Sequence, residues 1–202
     1  MVINLSHKQK KKIREGICQK YAMVSNSPEG LFKFPTGLAG LEALSYAPEM
    51  INALPDRTTA SFCGVGNPFK VGPIQDGESV LDIGCGGGVD TLIASIIVGP
   101  TGRAVGIDMV PEMLQGAKES LRDMHFQGAT FQEASAEDLP FSNESFDVVI
   151  SNGAFNLVPD KEAALREVFR VLRLPGRLMM ADQILIGELS DDTNAQVKGW
   201  AQ

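Results

Sequence analysis

The chain of 202 residues lacks the features that mark several common classes of protein. It has no run of 18 or more apolar residues, so no membrane span is expected. No apolar signal-peptide core follows the basic N-terminus, which predicts a cytoplasmic protein. Basic residues are not in surplus, because 25 acidic side chains against 18 Lys and Arg give a net charge of −7. A nucleic-acid partner is therefore not expected.

Cysteine and histidine are also scarce. Cys18, Cys63 and Cys85 are widely spaced and form no CxxC pair. Since no His cluster accompanies them, we predict neither a disulfide framework nor a structural zinc site. His7 falls in the basic N-terminal arm and His125 at the end of a predicted helix, so no catalytic base is assigned.

The first 75 residues differ in pattern from the rest. A basic cluster between Lys8 and Arg14 predicts a solvated, frayed end, with binding of an anionic partner as the alternative. Apolar residues at four-residue spacing predict an amphipathic helix over 8–24. Gly, Pro and Ser dominate 25–41 and predict a loop. We expect 1–75 to form an N-terminal helical and loop cap segment.

From residue 79 onward, predicted strands alternate with predicted helices. Residues 80–83 and 147–150 are apolar on both faces, as in buried parallel strands. The alternation predicts an α/β fold with a doubly wound, mostly parallel sheet over 76–202. The predicted strands are 79–83, 103–108, 129–133, 146–151 and 177–184, and the predicted helices are 88–98, 111–124, a short one near 135–138, and 160–173.

A glycine-rich loop follows the first of these strands. Gly84, Gly86 and Gly88 succeed Asp82, where a tight turn lets backbone N–H groups approach a ligand. Asp108 closes the next strand and is placed to accept the two hydroxyls of a ribose. The dinucleotide fingerprint requires a third glycine where this chain has Val89, which argues against the alternative of a nicotinamide oxidoreductase. An acid before the loop instead suits a ligand with a cationic amino group.

These residues resemble the class I S-adenosylmethionine-dependent methyltransferases over about 75–187. The motif Asp82-x-Gly84-x-Gly86-x-Gly88 is similar to their first motif, and Ser145–Ser151 is similar to their fourth strand. The resemblance implies a Rossmann-like fold, S-adenosylmethionine as the donor, and methylation of a small-molecule acceptor. It implies these donor-binding residues: Asp82 for the amino group, Gly84, Cys85, Gly86 and Gly88 in the loop, Asp108 for the ribose, Met109, Ala136 and Glu137 for the adenine, and Ser151 and Asn152 for the methyl-donor mouth.

Within that family the chain most resembles the arsenite methyltransferase branch. Gly64–Pro68, Val98–Gly102 and Ile150–Asp160 are similar to segments of that branch. The branch holds trivalent arsenic with thiolates, yet Val65 and Gly153 stand where two of them would fall. A trivalent metalloid acceptor is therefore an alternative, with Cys63 as a substitute ligand, and a non-catalytic binding or interaction module is another. Candidate acceptor-site residues are Tyr21, Cys63, Phe155 and Asn156.

The C-terminal part departs from the family pattern. Members of the fold usually finish with a sixth strand and an antiparallel seventh. After Gly187 the sequence predicts only the start of another helix, so we expect a chain that is short at this end. An open sheet edge would follow, and a homo-oligomer formed through it is the expected consequence.

Overall fold

The computed structural model describes residues 5–124, 128–184 and Trp200, and the elements fall in two groups. Four α-helices and a short 3₁₀ helix, Pro68–Lys70, precede the first strand, and three more helices follow the first, second and fourth of the five strands. In chain order the elements are α1 (His7–Val24), α2 (Gly37–Ala43), α3 (Pro48–Asn52), α4 (Asp56–Ala60), β1 (Ser79–Ile83), α5 (Val89–Val98), β2 (Arg103–Asp108), α6 (Pro111–Asp123), β3 (Ala129–Glu133), β4 (Phe146–Asn152), α7 (Lys161–Val171) and β5 (Leu172–Ala181).

The five strands form one sheet in the order β3-β2-β1-β4-β5, with every neighbouring pair parallel. Leu81 of β1 lies opposite Val105 of β2 and Val149 of β4. Both faces of the central strands are covered, because Leu81 and its neighbour Val80 are completely buried. This confirms the predicted doubly wound α/β fold.

Alternate residues of β1 and β4 build two separate apolar layers. Leu81 and Val149 belong to the cluster that includes Val168 of α7. On the opposite face, Val80 and Val148 belong to the cluster that includes helix α5. Burial of this apolar surface at about 25 cal/mol per Å² holds the central strands in place. The carboxyl ends of these strands are therefore fixed in position and can support a binding site.

Two sequence-based expectations are wrong in detail. The segment near 135–138 is not a helix but a turn closed by a bridge between Ser135 and Asp138. Strand β5 begins at Leu172 rather than 177, so the expected Pro175-Gly176 turn lies within it. His125 and the helix predicted after Gly187 lie outside the described residues. No helix in the described ranges is long and apolar enough to cross a membrane.

The basic N-terminal arm is not frayed. Ser6 and Gln9 form a capping box at the start of α1, and Ile13, Ile17 and Val24 of the helix are buried. Two of its cations bond to the body of the protein: Lys10 to Asp160 and Arg14 to Glu137. The frayed-end prediction failed because these partners are distant in sequence. Lys8, Lys11 and Lys12 are exposed, as predicted.

Candidate functional site

A cleft opens where the strand order of the sheet reverses, at the carboxyl ends of β1, β2 and β4. Ligands of open α/β sheets bind at such a switch point. The cleft encloses about 800 Å³ of empty space. Its walls are the glycine loop, Asp108–Val110 after β2, Ala134–Glu137 after β3, Asn152–Ala154 and Leu157–Pro159 after β4, and Arg14, Ile17 and Tyr21 of α1 with Cys63.

Gly84 keeps the glycine loop close to the segment after β4. Its φ of +75° lies in the left-handed region, and a Cβ atom there would come 2.3 Å from the Cβ of Ala154. Gly88, with φ +91°, begins α5, where a Cβ would meet the Phe131 ring at 2.8 Å. Gly84 therefore shapes the cleft, whereas Gly88 allows α5 to pack against β3.

Asp108 ends β2 with both carboxylate oxygens held in place. The backbone N–H of Gly86 donates to Oδ2, and that of Val110 donates to Oδ1, each at 2.9 Å. Burial raises the pKa of this carboxyl, while the two N–H groups act in the opposite direction. Each oxygen has a further lone pair for a ligand hydroxyl. Asp108 is thus oriented to bind a diol such as a ribose.

A smaller pocket of about 360 Å³ adjoins the cleft and is lined by two carboxylates, Asp82 and Asp90. Their exposed fractions are 2% and 6%. The Thr91 hydroxyl donates to Asp82 at 2.6 Å, and the Tyr46 hydroxyl donates to Asp90 at 2.7 Å. Burial raises the pKa of Asp82 and raises that of Asp90 to about 6. Within the described part of the chain, neither carboxylate forms a salt bridge.

The side chain of Asn152 connects this pocket to the N-terminal segment. Its Oδ1 accepts from the backbone N–H groups of Val65 and Gly66, at 2.9 and 3.0 Å. Its Nδ2 donates to the carboxylate of Asp90 at 3.0 Å. Asn152 therefore holds the loop that carries Cys63 over the pocket floor. Sequence reasoning missed Tyr46 and Asp90, although an acid at the second position of the apolar helix α5 was an available signal.

Helix α1 forms the outer wall of the cleft and binds the opposite rim. Arg14, Ile17 and Tyr21 lie on one face of the helix and reach the cleft. Arg14 donates to Oε2 of Glu137 at 2.5 Å, while Oε1 of Glu137 accepts the backbone N–H of Asp160 at 2.9 Å. Glu137, implied by the resemblance to meet an adenine, is thus already bonded on both oxygens.

The structure brings together most of the residues singled out in the sequence. Asp82 and Cys85 line the smaller pocket. The residues that line the cleft are Tyr21, Cys63, Gly84, Gly86, Asp108, Met109, Ala136, Glu137 and Asn152.

Four predicted residues lie outside both cavities, and their surroundings explain why. Gly88 is at the packed start of α5. Ser151 is completely buried, and its hydroxyl donates to the carbonyl of Ile83 at 2.9 Å. Phe155 is in the apolar core. The side-chain oxygen of Asn156 is buried without a hydrogen-bond partner in the described residues. The expected ligand contacts of these four residues stay predictions.

The thiols near the cleft are in apolar surroundings. Burial raises the pKa of Cys63 to about 12 and raises that of Cys85, so both are protonated at neutral pH. The two positions where thiols were expected are neighbours, since a Cβ on Gly153 would lie 3.2 Å from Cγ2 of Val65. No group of three or more His, Cys, Asp or Glu in the described ranges could hold a metal ion.

Comparison with known proteins gives consistent matches. A family model described as a methyltransferase domain matches residues 74–201. The chain is 32% identical over 193 residues to an arsenite methyltransferase of Halobacterium salinarum, covering 89% of this chain and 49% of that protein. It is 38% identical over 110 residues to a ubiquinone/menaquinone biosynthesis C-methyltransferase of Pasteurella multocida, covering 54% and 41%.

A solved structure also matches this chain. An arsenic(III) S-adenosylmethionine methyltransferase from Chlamydomonas reinhardtii is similar with a TM-score of 0.56 and 32% identity, covering 74% of this chain and 50% of that one. The chain thus spans about half the length, or less, of these relatives.

Proposed function

The chain belongs to the methyltransferase domain family, and from this premise we propose that it binds S-adenosylmethionine and transfers a methyl group to a small molecule. The resemblance to S-adenosylmethionine-dependent methyltransferases, with arsenite methyltransferases among the similar proteins, is confirmed. The observation that carries the proposal is the pairing of the Gly84 turn with the oriented carboxylate of Asp108 at the switch point.

The residues present fit this donor. Gly84 lets the loop lie close against Ala154, where a side chain would collide, and Asp108 has lone pairs free for the ribose hydroxyls. Asp82 and Asp90 offer buried negative charge to the cationic ammonium group, and Met109 with Ala136 borders the space for the adenine. When bound, S-adenosylmethionine supplies an electrophilic methyl group on a positively charged sulfur.

The contribution of the protein is orientation and exclusion of water. Ile17 and Leu157 give the cleft apolar walls beside Tyr21. Burial raises the pKa of Tyr21, so its hydroxyl stays protonated and is able to donate to an acceptor oxygen. Alignment of the reacting atoms in a dry site is the main requirement of a displacement reaction. We propose no catalytic base.

The residues at the acceptor end favour a carbon-, oxygen-, nitrogen- or sulfur-centred small molecule. Trivalent arsenic prefers thiolate ligands, and Val65 with Gly153 offers none. Cys63 lines the cleft but is held as a thiol. A metalloid acceptor is the second candidate, favoured by the similarity to arsenite methyltransferases. A third candidate is a module that binds the donor without turnover.

Further proposals concern assembly, localisation and partners. Strand β5 is at the edge of the sheet, and nearby Phe169 and Leu174 are 80% and 87% exposed. We propose that this edge pairs in a homo-oligomer. We also propose that the protein is cytoplasmic and binds no nucleic acid, in keeping with its acidic charge.

The test is transfer of labelled methyl from S-adenosylmethionine, with donor binding measured on the same sample. Arsenite with a thiol reductant and a panel of phenols and quinols serve as acceptors. Cys63→Ser should abolish arsenite turnover if the metalloid candidate is correct, whereas Cys18→Ser, outside the cleft lining, should not. Turnover of an organic acceptor unaffected by Cys63→Ser would support the first candidate. Failure of the protein to bind the donor would refute all three.

A further inference from the structure

Helix α1 is held to the protein differently at its two ends. Near its C-terminal end, Val24 is completely buried and packs with Val110 and Met113 at the start of α6. Toward its N-terminal end, Ile13 and Ile17 join only a small apolar cluster with Leu5, to which Leu157 and Trp200 contribute partly buried surface. The C-terminal end of α1 is therefore anchored in packed surroundings, and the other end depends more on polar contacts.

Those polar contacts are two ion pairs one helical turn apart. Lys10 donates to Asp160 at 2.6 Å, and Arg14 donates to Glu137 at 2.5 Å. The hydrogen bond from Lys10 also lowers the pKa of Asp160. The two acids are themselves joined, because the backbone N–H of Asp160 donates to Glu137. These two cations of α1 thus bind two acids that lie together on the far rim of the cleft.

The ion pairs span the opening through which an adenosyl ligand would pass. Arg14, Ile17 and Tyr21 line the cleft from the α1 side, and Glu137 with Pro159 lines it from the other. The Glu137 side chain is only 10% exposed, so its pair with Arg14 is shielded from solvent more than a surface pair. The two pairs are therefore bridges between the rims, and none of their four residues belongs to a strand of the sheet.

We propose that Lys10 and Arg14 latch α1 over the cleft, and that the helix swings about its Val24 end to admit and release the adenosyl ligand. The inference rests on the proposed function, since it concerns exchange of the donor and its product. Lys10 and Arg14 are positioning residues in this scheme. Lys10 acts without lining the cleft, whereas Arg14 also borders the ligand space.

The test measures release of S-adenosylhomocysteine, the demethylated donor, from the full chain by displacement of the labelled compound. Lys10→Gln and Arg14→Gln should each accelerate release about fivefold to tenfold, because mutations at a binding surface act mainly on dissociation. Wild-type release should accelerate between about 50 mM and about 500 mM NaCl, mainly through the more exposed Lys10–Asp160 pair, so Lys10→Gln should lose most of that dependence. Substitutions are made on α1 because Asp160 also caps α7.

Lys11→Gln is the matched control. Lys11 pairs with Glu15 of the same helix, and both side chains are exposed, so release should be unchanged. Trp200 gives a second readout, as it is the only tryptophan and its ring nitrogen donates to the Leu157 carbonyl at 2.8 Å. Its fluorescence should change with the same rate as release.

The possible failures are distinct. Wild-type release rates and salt dependence in both folded variants would overturn the latch while leaving the proposed function intact. Absence of S-adenosylhomocysteine binding to the wild-type chain would overturn the proposed function and the latch with it. If circular dichroism shows Arg14→Gln to be misfolded, Lys10→Gln decides the question, because its side chain lies outside the cleft lining.

Discussion

Two pairs of carboxylates lie in opposite electrostatic circumstances: Asp82 and Asp90 in the smaller pocket, called the floor below, and Glu137 and Asp160 at the rim of the cleft. On the floor, Asp82 and Asp90 are almost fully buried and form no salt bridge with another described residue. At the rim, Glu137 and Asp160 each bind a cation of α1. The floor pair keeps its hydrogen bonds to neutral hydroxyl and amide groups. The rim pair has its charges compensated by the protein itself.

The uncompensated carboxylates of the floor suit the binding of a ligand, whereas the ion-paired carboxylates of the rim suit closure of the cleft. A buried carboxylate without a counter-ion lowers stability, because desolvation penalises its charge. Such a group is explained when a cationic ligand completes it, as the ammonium group of the proposed donor would. The rim pairs require no ligand and instead join two elements distant in sequence. The floor is therefore expected to control affinity, and the rim is expected to control exchange.

The largest expected effect comes from a substitution at Gly84 in the glycine loop. Gly84→Ala places a Cβ 2.3 Å from that of Ala154 at a φ of +75°, so the loop must move away from β4. Affinity for S-adenosylhomocysteine, measured by calorimetry, should fall by about a hundredfold or more, consistent with the strain of a non-glycine residue there. Gly116→Ala is the control, because a Cβ there meets nothing within 4 Å. Equal affinity in both variants would show that the loop does not shape the site.

Charge on the floor gives the next effect, through Asp90. Its folded-state pKa of about 6 exceeds the ordinary value of 3.8, so between those pH values the folded state binds more protons than the unfolded state. Stability from this group therefore falls as pH rises from about 4 to about 6, by the order of 2–3 kcal/mol. Asp90→Asn should flatten that fall and leave the protein more stable than wild type at pH 7.

The measurement is urea unfolding at pH 5 and pH 7 with and without S-adenosylhomocysteine. At pH 7 the ligand should narrow the difference in unfolding free energy between wild type and Asp90→Asn, because its ammonium group compensates the charge of Asp90. Asp123→Asn, which removes an exposed carboxyl paired with Arg57, should keep the wild-type fall in stability between pH 5 and pH 7, because Asp90 is intact. A pH dependence identical in wild type and Asp90→Asn would mean that the floor charge is compensated in another way.

These contacts also mark the limit of what the sequence predicts. The strands, the glycine turn and Asp108 were predictable because each is a local pattern of apolar period, turn residue or spacing. The bond between Tyr46 and Asp90 joins residues 44 apart, and that between Arg14 and Glu137 joins residues 123 apart. No local pattern specifies such pairs, so the floor network was missed and the N-terminal helix was predicted to fray.

Strand β5 shows a second kind of limit. Its first half contains Pro175, and its burial does not alternate as in a strand with one covered face. Pro cannot donate to a ladder and is confined to edge strands, which is where β5 lies. The sequence at Pro175-Gly176 therefore predicts a turn. Only the pairing of Phe146 with Leu172 shows that the strand begins earlier. Edge position depends on the arrangement of the other strands and cannot be read locally.

The smallest expected effect concerns the ion pair of Lys10 with Asp160 at the rim. Lys10→Gln removes an ion pair whose side chains are 26% and 37% exposed, and pairs of this kind contribute less than about 1 kcal/mol to folding. Asp160 remains bonded in the variant, because it also accepts the backbone N–H of Ala163 at the start of α7. Urea unfolding should therefore show a loss below about 1 kcal/mol that vanishes at high salt, with Lys11→Gln unchanged. A loss of about 2 kcal/mol or more would show that the Lys10–Asp160 pair is needed for folding. The proposal that the rim controls ligand exchange and the floor controls affinity would then be wrong. A small loss of stability beside faster ligand release would show that the rim acts on motion rather than on folding.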